Sequence, residues 1–173
     1  MGFMTSIDVR SIEAHEWERL REIRLEALAD TPTAFITTLD EARAFPDSVW
    51  IDRASAGASG EDQRTVLAID GADTVGMAVG LFRPHARSGV VPIVSVYVSP
   101  RARRDGTGTR LMQDLEAWAR TKGASMTSLW VVDTKEVARR FYERLGYVAT
   151  LDRQKITVPP VRWETRLVKD LSG

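Results

Sequence analysis

From Glu13 to Ala29, the apolar residues Trp17, Leu20, Ile23, Ala27 and Leu28 recur at the spacing of one buried helix face. Glu13, Glu16 and Glu18 stand in the first turns, where negative charge suits the helix dipole. Asp30-Thr31-Pro32 ends the helix, because a residue before proline is pushed out of the helical region. A second helical region runs over Leu39 to Ala54, restarted near Phe45-Pro46-Asp47, and Gly57-Ala58-Ser59-Gly60 reads as a flexible connector. The period then changes. Thr65-Val66-Leu67-Ala68-Ile69 reads as a strand, Asp70-Gly71 as a tight turn, and Thr74 to Phe82 as the hairpin partner, with Gly76 and Gly80 as markers of a bulge. Arg83 to Gly89 is a polar loop, and the β-branched run Val90 to Val98 is a strand closed by Ser99-Pro100.

Gly108 to Lys122 is a helix with Leu111, Met112, Leu115 and Trp118 on one face and Gly123 as its stop. Met126 to Val132 is a strand, Lys135 to Leu145 a helix, and Gly146 a second stop. Tyr147 to Leu151 and Trp163 to Val168 are strands separated by a loop holding Pro159-Pro160. Strands and helices alternating in this way describe one mixed α/β domain over residues 1–173.

One strand–loop–helix unit carries chemistry. Glycines let backbone approach a ligand closely, and the first amides of a helix point outward with partial positive charge. Arg101, Arg103 and Arg104 add local positive charge ahead of Gly106-Thr107-Gly108, so a phosphate-bearing ligand is the natural guest. The Walker pattern does not fit, because Gly106 is not followed by Gly-Lys-Ser/Thr at the required spacing. The dinucleotide fingerprint does not fit either, since Leu111 stands at its third glycine.

Arg103, Gly106 and Gly108, placed after Val96-Tyr97-Val98-Ser99-Pro100, resemble the R/Q-x-x-G-x-G/A pattern of the GNAT superfamily of N-acetyltransferases. A second segment agrees. Ala138 and Phe141-Tyr142-Glu143-Arg144-Leu145-Gly146-Tyr147 are similar to the family's N-x-x-A-x-x-[LF]-Y-x-x-x-G-[FY] run, and Arg24-Leu25-Glu26-Ala27-Leu28 with Pro32 and Ala34-Phe35 looks like its first helix and turn. The resemblance implies a twisted mixed sheet of about six to seven strands flanked by about four helices. It implies that the backbone of Arg104, Asp105, Gly106, Thr107, Gly108 and Thr109 holds the pyrophosphate of acetyl-coenzyme A, with Arg103 as the signature residue. It also implies that Val96, Tyr97 and Val98 line the pantetheine arm and that Tyr142 is the general acid. Two positions depart from the family. Lys135 replaces the usual asparagine and either reaches a phosphate in its place or is solvated, and Asp105 brings a negative charge that is expected to point outward. From period alone, Tyr142 belongs to a core stripe with Ala138, Phe141 and Leu145.

Composition narrows the chemistry. The 173 residues hold 0 Cys, which removes cysteine nucleophiles, thiolate metal sites and disulfides, and no metal site is expected. Lys+Arg and Asp+Glu are both 24, which argues against nucleic acid as the partner. No stretch is apolar enough to span a bilayer, and a cytoplasmic protein, monomeric or homodimeric, is expected. Met1-Gly2-Phe3-Met4-Thr5-Ser6 fits the myristoylation pattern formally, but so short a pattern arises by chance. With no thiol nucleophile, direct attack by an amine in a ternary complex is the simplest route, with a small-molecule or protein amine as acceptor. A backbone amide near Val96–Tyr97 is the candidate for the developing oxyanion, and Arg139 and Arg140 would lower the Tyr142 pKa if close. Glu41 and Glu164 are candidate bases acting through water, while His15 and His85 read as structural or solvent-facing. The competing reading is a catalytically silent acyl-coenzyme A-binding or sensing domain.

Overall fold

The computed structural model describes residues 6–83 and 89–173, so residues 1–5 of the acylation pattern, and Pro84 and His85 of the polar loop, lie outside the described residues. The chain begins with strand β1 (Asp8–Ser11), helix α1 (Trp17–Asp30), a 3-10 turn (Pro32–Ala34), α2 (Leu39–Ala44) and α3 (Asp47–Ser59). Strands β2 (Gln63–Asp70), β3 (Asp73–Leu81) and β4 (Val90–Val98) follow, then a 3-10 turn (Pro100–Ala102) and α4 (Thr107–Thr121). Strand β5 (Met126–Val132), helix α5 (Glu136–Arg144), and strands β6 (Val148–Ile156) and β7 (Arg162–Asp170) complete it. The strands form one sheet in the order β1-β2-β3-β4-β5-β7-β6, in which β4 and β5 are parallel and all other neighbours antiparallel. The mixed α/β class expected from the sequence is the class observed.

Both sheet faces are buried, which explains the unbroken apolar run of β2. Alternate residues point to opposite faces. Val66 and Ala68 pack with Leu111, Met112 and Leu115 of α4, whereas Leu67 and Ile69 pack with Ile23 and Leu28 of α1 and Trp50 of α3. The second helical region is two helices. A capping box starts α2, with Thr38 Oγ1 accepting the Glu41 amide and the Glu41 carboxylate accepting the Thr38 amide, and the helix stops at Phe45. Pro46 then stands at the cap of α3.

The structure corrects two boundaries. Gly57 is not in a connector: α3 continues to Ser59, and a Cβ at Gly57 would lie 2.2 Å from Thr65 Oγ1 on β2. Glycine is what allows this helix to sit directly on the sheet. Gly80 has the same purpose toward α4, since its Cβ would fall 2.8 Å from the Trp118 ring. Strand β6 runs through Ile156, past the Leu151 end that its pattern suggested, because Arg153 to Ile156 pair with β7. Among the described residues, no helix is long and apolar enough to cross a membrane.

Candidate active site

The parallel pair at the middle of the sheet opens like a fork. Strands β4 and β5 are in register only from Val90 with Met126 to Pro92 with Ser128, although β4 continues to Val98 and β5 to Val132. Two local features explain the parting. Pro92 has no N–H to donate to a neighbour, and β4 then bulges. Val94 pairs with Val79 and Tyr97 with Met77, so β4 uses one residue more than β3, and Ser95 sits at φ 56 within the bulge. The Ser99 amide donates to the Val75 carbonyl, so strand alternation turns the amide and carbonyl of Val98 away from β3, toward the gap.

A cleft of about 850 Å³ fills this gap at the carboxyl ends of the two parallel strands. Its walls are Val96, Tyr97 and Val98 of β4, the loop from Arg103 to Thr109, the inner face of α5 from Lys135 to Leu145, and Thr31 and Ala34 beyond α1. Crevices at such strand ends are where open α/β sheets take ligands.

The loop reaches α4 through two left-handed residues, Arg104 (φ 67) and Gly106 (φ 88), which turn the chain so that α4 starts at Thr107. Asp105 is exposed and lies off the cleft wall, as an outward-pointing carboxylate would. Its Oδ1 accepts both the Thr107 amide at 3.0 Å and the Thr107 hydroxyl at 2.6 Å, and the hydroxyl bond holds its carboxyl below the usual carboxylate range. Asp105 and Thr107 therefore satisfy each other and are absent from the cleft wall, while Gly106, Gly108 and Thr109 belong to it. The amides of these three residues have no protein partner among the described residues. Gly108 also seats α5, since a Cβ there would lie 3.0 Å from the Phe141 ring.

The three arginines divide their work. Arg101 pairs with Asp73 at 3.0 Å, outside the cleft. Arg103 lines the cleft, but its guanidinium is committed, donating to Asp30 at 2.6 Å and to the Val98 carbonyl at 2.9 Å. Asp30 and Glu26 also accept from the Tyr97 hydroxyl, at 3.1 and 3.2 Å. Burial, then these two acids, pushes the Tyr97 phenol up. This knot ties the end of α1 to the end of β4, and nothing beyond the residue types announces it in the sequence. Arg104 lines the cleft with no acidic partner among the described residues, and so does Lys135 at the start of α5.

Helix α5 presents Ala138, Phe141, Tyr142 and Leu145 to the core, and Tyr142 meets Phe141 and Tyr147 edge-on at 5.1 and 5.9 Å. The two tyrosines differ in what their hydroxyls do. Tyr147 is fully engaged, bonded to Thr127 at 2.9 Å and donating to Glu116 at 3.1 Å, with Glu116 in turn held by Lys169 at 2.7 Å. Tyr142 has no hydrogen-bond partner among the described residues, and it lines the cleft. Desolvation raises its pKa above the ordinary tyrosine value. Arg139 and Arg140 do not reverse that shift, because they pair with Glu143 and Glu136 along the outer face of α5.

Neither candidate base lines the cleft. Glu41 is held in its capping box, and Glu164 is buried on β7, where Gln154 donates to it. His15 is exposed beside Glu13. Among the described residues no group of three His, Asp or Glu side chains is placed to hold a metal ion.

Several solved acetyltransferases share this shape. An acetyltransferase of the GNAT family from Streptococcus pneumoniae superposes with a TM-score of 0.78 at 18% identity, covering 95% of this chain and 99% of that one. The PaiA N-acetyltransferase from Thermoplasma acidophilum, in complex with coenzyme A, gives 0.72 at 15% identity over 95% and 99%. A phosphinothricin acetyltransferase from Sinorhizobium meliloti, in complex with acetyl-coenzyme A, gives 0.77 at 20% identity over 96% and 89%. No curated protein matches the sequence significantly. At these identities the superpositions speak for the fold alone. The sequence itself decides the family: residues 17–147, from the start of α1 through Tyr147, match the acetyltransferase (GNAT) family, and the chain belongs to it.

Proposed function

We propose that the protein transfers the acetyl group of acetyl-coenzyme A to an amine by direct attack, with both substrates bound at the fork between β4 and β5. The observation that carries this reading is the pairing of two unsatisfied features across one cleft: the three free amides at the start of α4, and the free hydroxyl of Tyr142. The coenzyme fits the residues present. Its pyrophosphate matches the amides of Gly106, Gly108 and Thr109 at a helix N-terminus, with Arg104 and Lys135 as unneutralised cations on either side. The apolar wall of Val96, Val98, Ala138 and Phe141 suits the pantetheine arm, and the free backbone edge of Val96 suits its amides. Acetyl-coenzyme A and coenzyme A in two related folds support the same assignment.

The bound thioester supplies an activated acetyl group. The amine nitrogen forms the new C–N bond, the C–S bond breaks, and its electron pair leaves on sulfur. The amide of Val96, a residue of the cleft wall, stabilises the negative charge that grows on the carbonyl oxygen. Tyr142 donates its proton toward the leaving sulfur. Its raised pKa keeps it protonated at neutral pH. The same dry wall also raises a thiol beside it, since burial penalises both anions, so donor and leaving group stay matched. The amine loses its proton to water, consistent with a cleft in which neither Glu41 nor Glu164 takes part.

Thiol release from acetyl-coenzyme A, measured across a panel of amines, tests the reading. Release that depends on an amine is the expected result. Tight cofactor binding with no release above background for any amine would leave only the silent binding domain.

A further inference from the structure

A second cavity, of about 230 Å³, lies beside the first along β4: Ser95 lines one and the next residue, Val96, lines the other. Its polar lining consists of Arg24 of α1, Arg53 of α3, Thr37, Gln63, Thr65 and Ser95, and it contains no carboxylate. Arg24 and Arg53 have no acidic partner among the described residues, whereas Arg19 and Arg21 on the same helix as Arg24 pair with Glu16 and Asp47. The two cations are instead held by aromatic rings. The Arg24 guanidinium lies 4.4 Å from the centre of the Phe35 ring and donates to Ser95 Oγ at 3.2 Å. Arg53 lies 5.1 and 5.3 Å from the ring centres of Phe45 and Trp50. The Phe35 carbonyl is fixed in turn by Arg162, which donates to it at 2.6 Å. Trp50, fully buried and part of the same lining, has an indole N–H with no partner.

Two guanidiniums brought together without a counter-ion form a site that lacks one thing. Burial, then the charge of Arg53, lowers Arg24 to about 10, so it remains a cation at neutral pH while bearing the cost of desolvation and like charge. A compact anion would relieve both. We propose that this cavity anchors the acceptor, and that the acceptor is a small amine which also carries an anionic group, a carboxylate or a phosphonate. The inference rests on the acetyl-transfer reading above. An anion on Arg24 and Arg53 leaves the amine end of such a molecule free to face the bulge of β4, where the acetyl group is delivered.

The test compares amino acids and aminoalkylphosphonates with the carboxamides and methyl esters of the same amino acids, by thiol release at fixed acetyl-coenzyme A. A charge-assisted bond to an anion predicts a preference of about ten- to a hundredfold in kcat/KM for the anionic amines. Arg53→Met, at an exposed side chain, and Arg24→Met should each reduce that preference while leaving acetyl-coenzyme A affinity unchanged. Equal turnover of acids and their esters, or a preference untouched by Arg53→Met, would overturn the anion site while leaving acetyl transfer standing. Absence of release with every amine would instead count against acetyl transfer. The site would then be judged by titrating glutarate and inorganic phosphate against the Trp50 indole N–H resonance. A shift in the wild type that disappears in Arg53→Met supports the site, and no shift refutes it.

Discussion

Replacing Tyr142 by Phe removes one oxygen from the cleft wall and separates catalysis from stability. The hydroxyl has no protein partner, while the ring packs edge-on against Phe141 and Tyr147. The ring contacts survive the substitution, so unfolding free energy should change by less than about 1 kcal/mol. Acetyl-coenzyme A affinity should hold as well. Loss of a positioned proton donor lowers kcat by about 10²- to 10⁴-fold. Tyr147→Phe is the matched control. It strips a buried network of its centre, leaving Thr127 and Glu116 short of a partner, and should cost about 1–3 kcal/mol. At roughly 2–4 °C per kcal/mol for a chain of this size, that lowers Tm measurably, with kcat spared. Thermal unfolding and thiol release on both variants give the comparison. A Tyr142→Phe enzyme with full kcat, or one destabilised as much as Tyr147→Phe, would refute the reasoning.

Other substitutions probe the frame around the site. Gly57→Ala places a Cβ 2.2 Å from Thr65 Oγ1 and should destabilise by about 1–3 kcal/mol in urea unfolding, with cofactor affinity unchanged. Arg104→Gly removes a cleft cation but relieves a left-handed backbone; strain relief and added chain entropy roughly offset, so stability should move by less than about 1 kcal/mol while acetyl-coenzyme A binds more weakly by calorimetry. Glu16 is held at about 2, mainly by its bond from Arg10, against an ordinary value of 4.5. A depressed folded-state pKa contributes stability above pH 4.5 that is lost as pH falls toward 2, of order 2–3 kcal/mol here. Glu16→Gln should lower stability at pH 7 and flatten the loss on acidification; an unchanged acid slope would show the pair contributes little.

Much of this was legible because the residues obey one rule at a time. The apolar β2 run and the stripe on α4 are each fixed by their own period, and the glycine loop with Phe141-Tyr142 carried the family resemblance. What the sequence hid depends on distant partners. Asp8-Val9-Arg10-Ser11 has a single apolar residue and is a strand only because β2 offers an edge. Gly57-Ala58-Ser59 has a connector's composition, yet contact with Thr65 keeps it helical. Polar Asp152 to Lys155 shows no buried face, because β6 is the outer strand of the sheet. The fork itself arises from Pro92 and from Ser95, a non-glycine residue at positive φ that no local pattern announces. Arg103 looked like a phosphate ligand because its charge was visible and its partners, Asp30 and the Val98 carbonyl, were not.

Whether the fork between β4 and β5 holds the thioester beside Tyr142 is decided by a crystal structure with acetyl-coenzyme A bound. The expected complex has the pyrophosphate on the amides of Gly106, Gly108 and Thr109, the pantetheine along Val96, and the sulfur within hydrogen-bonding reach of the Tyr142 hydroxyl. A thioester lying outside the fork, or a sulfur remote from Tyr142, would contradict it.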